Sequence, residues 1–176
     1  MRQPFTYHGN RITFQQSNEL VRFLTVDKEE KKQFDYIAEG ELMHHIMSGI
    51  EQADDVDKAI DRTMIDGLIA TEKQYDRIKN IVKKALSNQK AKEWFNGTYK
   101  LYNECSILDR NEETTRRPDR VMVKGDEVIV VDYKFGKENE EHKKQVKRYM
   151  NLLGDMGYRN VKGYLWSVYK NDIKEV

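Results

Sequence analysis

The spacing of hydrophobic residues changes near residue 98, and this change divides the chain into two parts. Before residue 98, apolar residues recur three and four positions apart, which is typical of helices with one buried face. The predicted helices cover residues 34–50, 55–65, 72–87 and 89–95. The most regular of them follows Thr71, which predicts an N-terminal cap. Residues 12–14 predict a short strand, and residues 20–24 a short amphipathic segment.

After residue 98 the pattern is that of strands, followed by one helix and a last strand. The predicted strands cover residues 98–108, 114–124, 127–135 and 160–168, and the helix covers residues 138–156. The strand after Asp126 is apolar on both faces, which indicates a central strand covered on both sides. The order of elements predicts an α/β fold with a mixed central sheet flanked by helices, with extra helices at the N-terminal end.

Length and composition favour one globular domain. The 176 residues are 38% hydrophobic and 35% charged, a balance that supports a core. We expect a single domain over residues 1–176, with a mainly helical part at 1–97 and a β-rich core at 98–168. No apolar run approaches the ~20 residues that cross a bilayer, and no apolar signal core begins the chain. With a single cysteine, Cys105, we expect a cytoplasmic protein without membrane contact.

The most informative segment is the hairpin predicted around Gly125 and Asp126. A two-residue turn there pairs Lys124 with Glu127, and the same register places Asp119 opposite Asp132. Directly opposed residues have Cβ atoms roughly 4.5–5.5 Å apart. Two buried carboxylates at that distance repel each other unless a cation lies between them.

A divalent metal ion satisfies this requirement, because Mg²⁺ and Mn²⁺ prefer carboxylate oxygen ligands. Lys134 follows Asp132 by two positions and shares its face of the strand, where a cation can orient a water and balance charge on a phosphoryl group. The alternatives are an aspartate pair at a fraying sheet edge and an ordinary salt bridge for Lys134. The same Asp-X-Lys spacing at Asp172 lies in a polar tail without a paired acid.

Three further residues are candidates for the same site. His44 lies in an apolar helical segment, where histidine is either a metal ligand or a core or boundary residue. Gln145 and Tyr149 lie four residues apart on the predicted helix 138–156, in its apolar stripe. A glutamine there either faces a polar site or is a boundary residue bonded to the backbone.

Charge is unevenly distributed, although the net charge is only +1. Residues 77–100 carry seven basic side chains and one acidic side chain, Glu93. Such a basic band follows a phosphate backbone or forms a solvated helix face.

In this order, these motifs resemble the PD-(D/E)XK nucleases, in particular the RecB/AddA-type nuclease domain at the C-terminus of UvrD-like helicase–nucleases. The resemblance spans residues 40–168. The matching motifs are Gly40 to His44, Asp119, Asp132-Tyr133-Lys134, and Gln145 to Tyr149.

The resemblance implies a restriction-endonuclease-like fold and a role for each residue. His44, Asp119, Asp132 and the carbonyl of Tyr133 are implied to hold Mg²⁺ or Mn²⁺, and Lys134 to activate a water. Gln145 and Tyr149 are implied to line the site and contact DNA.

The expected function is therefore that of a metal-dependent DNA nuclease. The resemblance favours the exonuclease domain of a helicase–nuclease in DNA repair or recombination, acting on DNA ends beside a helicase domain or partner subunit. The alternative is a catalytically inactive nuclease-like module that binds DNA or docks a partner. Exo- or endonuclease action, polarity, strand preference, metal number and oligomeric state are left open by the sequence.

Overall fold

The computed structural model describes residues 28–109 and 114–176, with side chains from residue 37 onward. The strand predicted at 12–14 and the segment at 20–24 lie outside this part. The sheet and the candidate site lie in one compact unit, residues 38–176.

Helices dominate the chain as far as residue 94. They are α1 (Lys28–Ser48), a short 3₁₀ turn (Ala53–Asp55), α2 (Val56–Ile65), α3 (Glu72–Leu86) and α4 (Gln89–Trp94). The cap predicted for α3 is confirmed, because the Thr71 hydroxyl accepts a hydrogen bond from the Gln74 backbone N–H at 3.2 Å. The arrangement is not a reciprocal capping box, because the Gln74 side chain accepts a hydrogen bond from the backbone N–H of Ala70 and not from that of Thr71.

A five-stranded sheet, a two-stranded ribbon and one long helix follow. The elements are β1 (Lys100–Asn103), β2 (Ile107–Asp109), β3 (Thr114–Arg116), β4 (Arg120–Lys124), β5 (Glu127–Lys134), α5 (Glu140–Asp155), β6 (Asn160–Ser167) and β7 (Asp172–Glu175). The sheet order is β1-β4-β5-β6-β7, and β2 pairs with β3 separately. Only the β5–β6 pairing is parallel. The predicted α/β class with a mixed sheet flanked by helices is confirmed.

Two predicted strands are interrupted, and one strand was not predicted. The strand expected at 98–108 breaks at Glu104, whose φ of 46° turns the chain out of the sheet. The strand expected at 114–124 is divided by residues 117–119, which contain Pro118; a proline lacks the N–H that a sheet ladder requires. The tail around Asp172, expected to be a polar extension, forms the edge strand β7 against β6.

The sheet separates two hydrophobic clusters. One face packs on α1 to α4 through residues such as Met43, Ile78 and Val131. The other packs on α5 through Val128, Val130 and Val146. As predicted, β5 lies at the centre of the sheet, and its residues 128–133 are buried. The end of β5 is therefore covered by helices on both faces.

The packing of α5 on the sheet is unusually close at Gly163 in β6. A Cβ added there would overlap Met150 Sδ and Val146 Cγ1 of α5. The absent side chain therefore lets the helix lie directly on β6, at the residue that pairs with Val130 of β5.

Candidate functional site

The hairpin between β4 and β5 has the predicted register. Lys124 pairs with Glu127, and Arg120 pairs with Val131. Gly125 takes a φ of 59° at the turn, a conformation that glycine adopts without strain. One step beyond the last paired residues, Asp119 comes opposite Asp132, so the hairpin brings the two carboxylates to one end of the sheet.

Asp119 is held by two neighbours that come from different elements. Its Oδ2 accepts a hydrogen bond from the Tyr133 backbone N–H at 2.6 Å. Its Oδ1 lies 3.3 Å from Nδ1 of His44 on α1. The His44 ring also meets Phe135 edge to face, with ring centroids 4.8 Å apart. These contacts orient both the carboxylate and the imidazole, as predicted for residues of one site.

Asp132 is almost completely buried, with an exposure of 3%, which excludes an aspartate at a fraying edge. Its pKa is raised to about 6, mainly by burial and also by the nearby charge of Asp119, against an opposing effect of Lys134. Asp119 is thus close enough to act on Asp132 electrostatically. A buried carboxyl whose ionised form is disfavoured by a second carboxylate is typical of functional sites.

Lys134 contacts Asp132 directly, with Nζ 2.5 Å from Oδ2. The salt bridge considered as the alternative role of Lys134 is therefore present. The Lys134 ammonium offsets the charge of this carboxylate, although the contact falls outside strict hydrogen-bond geometry and Asp132 Oδ2 has no other hydrogen-bond partner in the described part of the chain.

Tyr149 and Gln145 link α5 to the chain just before Asp119. The Gln145 amide donates to the Tyr149 hydroxyl at 2.7 Å, and that hydroxyl donates to the Arg117 carbonyl at 3.2 Å. The pKa of Tyr149 is raised to about 12, mainly by burial and also by the charges of Asp132 and Asp119, whereas the hydrogen bond from Gln145 lowers it. Tyr149 is buried, but Gln145 is exposed, so its placement in the apolar stripe was wrong.

The side chains of His44, Asp119 and Asp132 include the kinds of ligand that a divalent metal ion binds, but their present arrangement does not form a metal site. The two carboxylates are ligands that Mg²⁺ and Mn²⁺ prefer, and the imidazole suits a manganese-like ion better than Mg²⁺. Yet no three acidic, histidine or cysteine side chains in residues 37–109 and 114–176 are arranged to hold a metal ion. Lys134 instead neutralises Asp132, and His44 contacts Asp119, so metal binding requires Lys134 to move from Asp132.

Arg120 is a residue of this region that the sequence pattern did not reveal. Its guanidinium is buried and donates to the carbonyls of Ile50 at 2.8 Å, Glu51 at 2.8 Å and Trp94 at 3.2 Å. It also stacks on Phe95, 3.8 Å from the ring centroid. Burial lowers the pKa of Arg120. The sequence did contain one sign that Arg120 is buried: in the predicted hairpin it pairs with Val131, on the apolar face.

The basic band at residues 77–100 is largely neutralised. Four of its seven basic side chains form ion pairs with acids from elsewhere in the chain. The pairs are Arg77–Glu39, Lys79–Asp57, Lys83–Asp57 and Lys90–Glu175, at 2.8, 3.1, 3.1 and 3.9 Å. A paired cation contributes little to a field that attracts phosphates.

Comparison with known proteins adds no relative. No protein-family model matches the chain, and no curated protein matches it. In the described part of the chain, none of the helices is both long and apolar enough to cross a bilayer.

Proposed function

We propose that this chain is a Mg²⁺- or Mn²⁺-dependent deoxyribonuclease with a restriction-endonuclease-like core. The observation that supports it best is the buried Asp132, which faces Asp119 and carries Lys134 against an otherwise unsatisfied oxygen. A structural ion pair alone does not account for a second carboxylate placed where it raises the pKa of the first.

In this proposal, His44, Asp119, Asp132 and the carbonyl of Tyr133 would hold the metal ion, and the ion would supply Lewis-acid activation of the phosphodiester and of the attacking water. Lys134, released from Asp132, would orient the attacking water and balance the negative charge that develops on the phosphoryl oxygens. His44 and the Tyr133 N–H keep the Asp119 carboxylate turned toward the site. Tyr149 maintains the position of the segment that leads into Asp119.

The resemblance of the motifs to RecB/AddA-type domains extends the proposal to an exonuclease that works beside a helicase domain or partner subunit in DNA repair or recombination. The hydrolysed bond is a phosphodiester of DNA, in a single strand or at a duplex end.

The direct test is degradation of end-labelled DNA in Mn²⁺, in Mg²⁺ and in chelator. We expect metal-dependent cleavage that Asp132→Asn and Lys134→Gln abolish. Asp172→Asn is the matched control, because Asp172 has the same spacing to Lys174 and lies 3.2 Å from it at the protein surface. Cleavage in chelator, or full activity of Asp132→Asn, contradicts the proposal.

A second candidate is a nuclease-like module that binds DNA without cutting it. It is favoured by the absence, in the described residues, of three side chains arranged to hold a metal ion. The basic band gives it less support than the sequence suggested, because most of these cations are paired. Titration calorimetry with Mn²⁺ separates the two candidates: the module predicts no heat of binding and DNA affinity that survives Asp119→Ala.

A further inference from the structure

A cleft beside the candidate site is lined mainly by polar and basic side chains. It has a volume of about 430 Å³ and lies between α5 and β3. Its lining residues are Arg116, Glu141, Lys144, Gln145, Arg148 and Tyr149. Three of these six side chains are cationic and one is acidic, so the lining has a formal charge of +2.

The cationic side chains come from two separate elements, so they form two walls of one space. Lys144 and Arg148 lie one helical turn apart on α5, and such neighbours share a helix face. Arg116 faces them from β3. Lys144 lies 2.6 Å from Glu141 within the same lining, so the acid of the cleft is paired with one of its three cations.

The cleft adjoins the carboxylates through Tyr149. This side chain lines the cleft, and its hydroxyl donates to the Arg117 carbonyl, two residues before Asp119. The charges of Asp119 and Asp132 both act on the Tyr149 hydroxyl, which places it within their electrostatic reach. A ligand in the cleft is therefore a near neighbour of a group bound at the carboxylates.

Size limits the ligand further. Clefts of about 300–1,000 Å³ hold single small molecules, and a volume of 430 Å³ admits one nucleotide but not a duplex. The exposed Gln145 amide adds a hydrogen-bond donor and acceptor, the groups that meet a base or sugar edge.

We propose that this cleft binds the nucleotide that flanks the cleaved bond, with Lys144, Arg148 and Arg116 around its phosphate, and that it accepts an unpaired strand. The inference rests on the proposed nuclease function, since it takes the carboxylates as the position of the reacting phosphate. Strand selectivity then follows from the walls of the cleft and not from the metal site.

The test measures binding without cleavage. A short fluorescein-labelled oligothymidylate is titrated with protein in chelator, and its anisotropy is followed from about 50 to about 200 mM salt. We expect Arg148→Gln and Lys144→Gln each to weaken binding about tenfold and to reduce the salt slope by about 0.7, the value for one lost single-strand phosphate contact. Lys147→Gln is the matched control, because it removes the same charge from an exposed α5 position outside the cleft.

Each outcome decides the proposal. Equal weakening by Lys147→Gln and Arg148→Gln overturns it, because general electrostatic attraction then accounts for the binding. If the substitutions weaken binding of a duplex probe as much as binding of the oligothymidylate, the preference for an unpaired strand is wrong. If equimolar inorganic phosphate displaces the oligonucleotide, the cleft is a simple anion site. A cleavage assay tests the nuclease function separately from the cleft. A protein that shows the expected binding differences but does not cleave DNA contradicts only the nuclease function. A protein that cleaves DNA without these binding differences contradicts only the cleft proposal.

Discussion

The sharpest prediction concerns Asp132→Asn in the absence of metal. Asp132 is 3% exposed, and its pKa is raised to about 6 by burial and by Asp119 against the opposing charge of Lys134. The ionised carboxylate is thus the less favoured form in the folded protein. Asparagine has the shape of the neutral acid and carries no charge, so the substitution removes this unfavourable state.

The magnitude follows from the difference between the ordinary pKa of 3.8 and the raised value of about 6. It corresponds to about 3 kcal/mol. Between these two values the folded protein binds the proton more tightly than the unfolded chain, so the wild type loses stability as the pH rises through this window. We expect equal stability of wild type and variant below pH 3.8, and a variant more stable by up to about 3 kcal/mol above pH 7.

The assay is urea denaturation in chelator at several pH values between these limits, with the slope and the midpoint fitted separately. Asp172→Asn again serves as the control, since its exposed pair with Lys174 is expected to change stability by less than about 0.5 kcal/mol at any pH.

A variant that is less stable than wild type at neutral pH refutes the reasoning, because the pair with Lys134 is then a net structural contribution. A metal arm extends the assay. Mn²⁺ at about 100 times its dissociation constant is expected to stabilise the wild type by about 2.7 kcal/mol, and Asp132→Asn much less.

Two further predictions concern residues that position the site. Arg120→Met is expected to destabilise the fold by about 3 kcal/mol in urea, since it leaves the carbonyls of Ile50, Glu51 and Trp94 without their donor; a loss below about 1 kcal/mol contradicts this account. Gly163→Ala is expected to cost about 1–3 kcal/mol by forcing α5 from the sheet. Gly154→Ala in α5 is its control, because a Cβ there meets nothing within 4 Å, and equal effects of the two substitutions exclude the steric explanation.

The parts of the fold that sequence reasoning predicted are those specified by local pattern. The α3 helix has its own cap at Thr71, and the β4–β5 hairpin has its own turn residue in Gly125. Because side chains in a strand alternate with a period of two, this turn also sets which acids face each other. Asp119 and Asp132 could therefore be paired without knowledge of the rest of the chain.

The parts that were missed depend on partners distant in sequence. The strand β7 is short and polar, and it exists because β6 offers it a free edge. The break at Glu104 is stabilised by a bond between its backbone N–H and the Asp119 carbonyl, at 3.0 Å. Gln145 was placed in a buried stripe because the helical period is too coarse to separate a boundary position from a buried one.

The contact of His44 with Asp119 could be expected only from the family resemblance, and the structure gives its physical basis. Asp119 and Arg120 are neighbours at the start of β4, and each contacts α1 or the residues that directly follow it. Arg120 binds the Ile50 carbonyl just beyond the end of α1, whereas His44 reaches Asp119 from within that helix. Two contacts six residues apart fix both the position and the rotation of α1 against β4. We therefore expect a substitution of Arg120 that shifts α1 to disturb the His44–Asp119 contact as well.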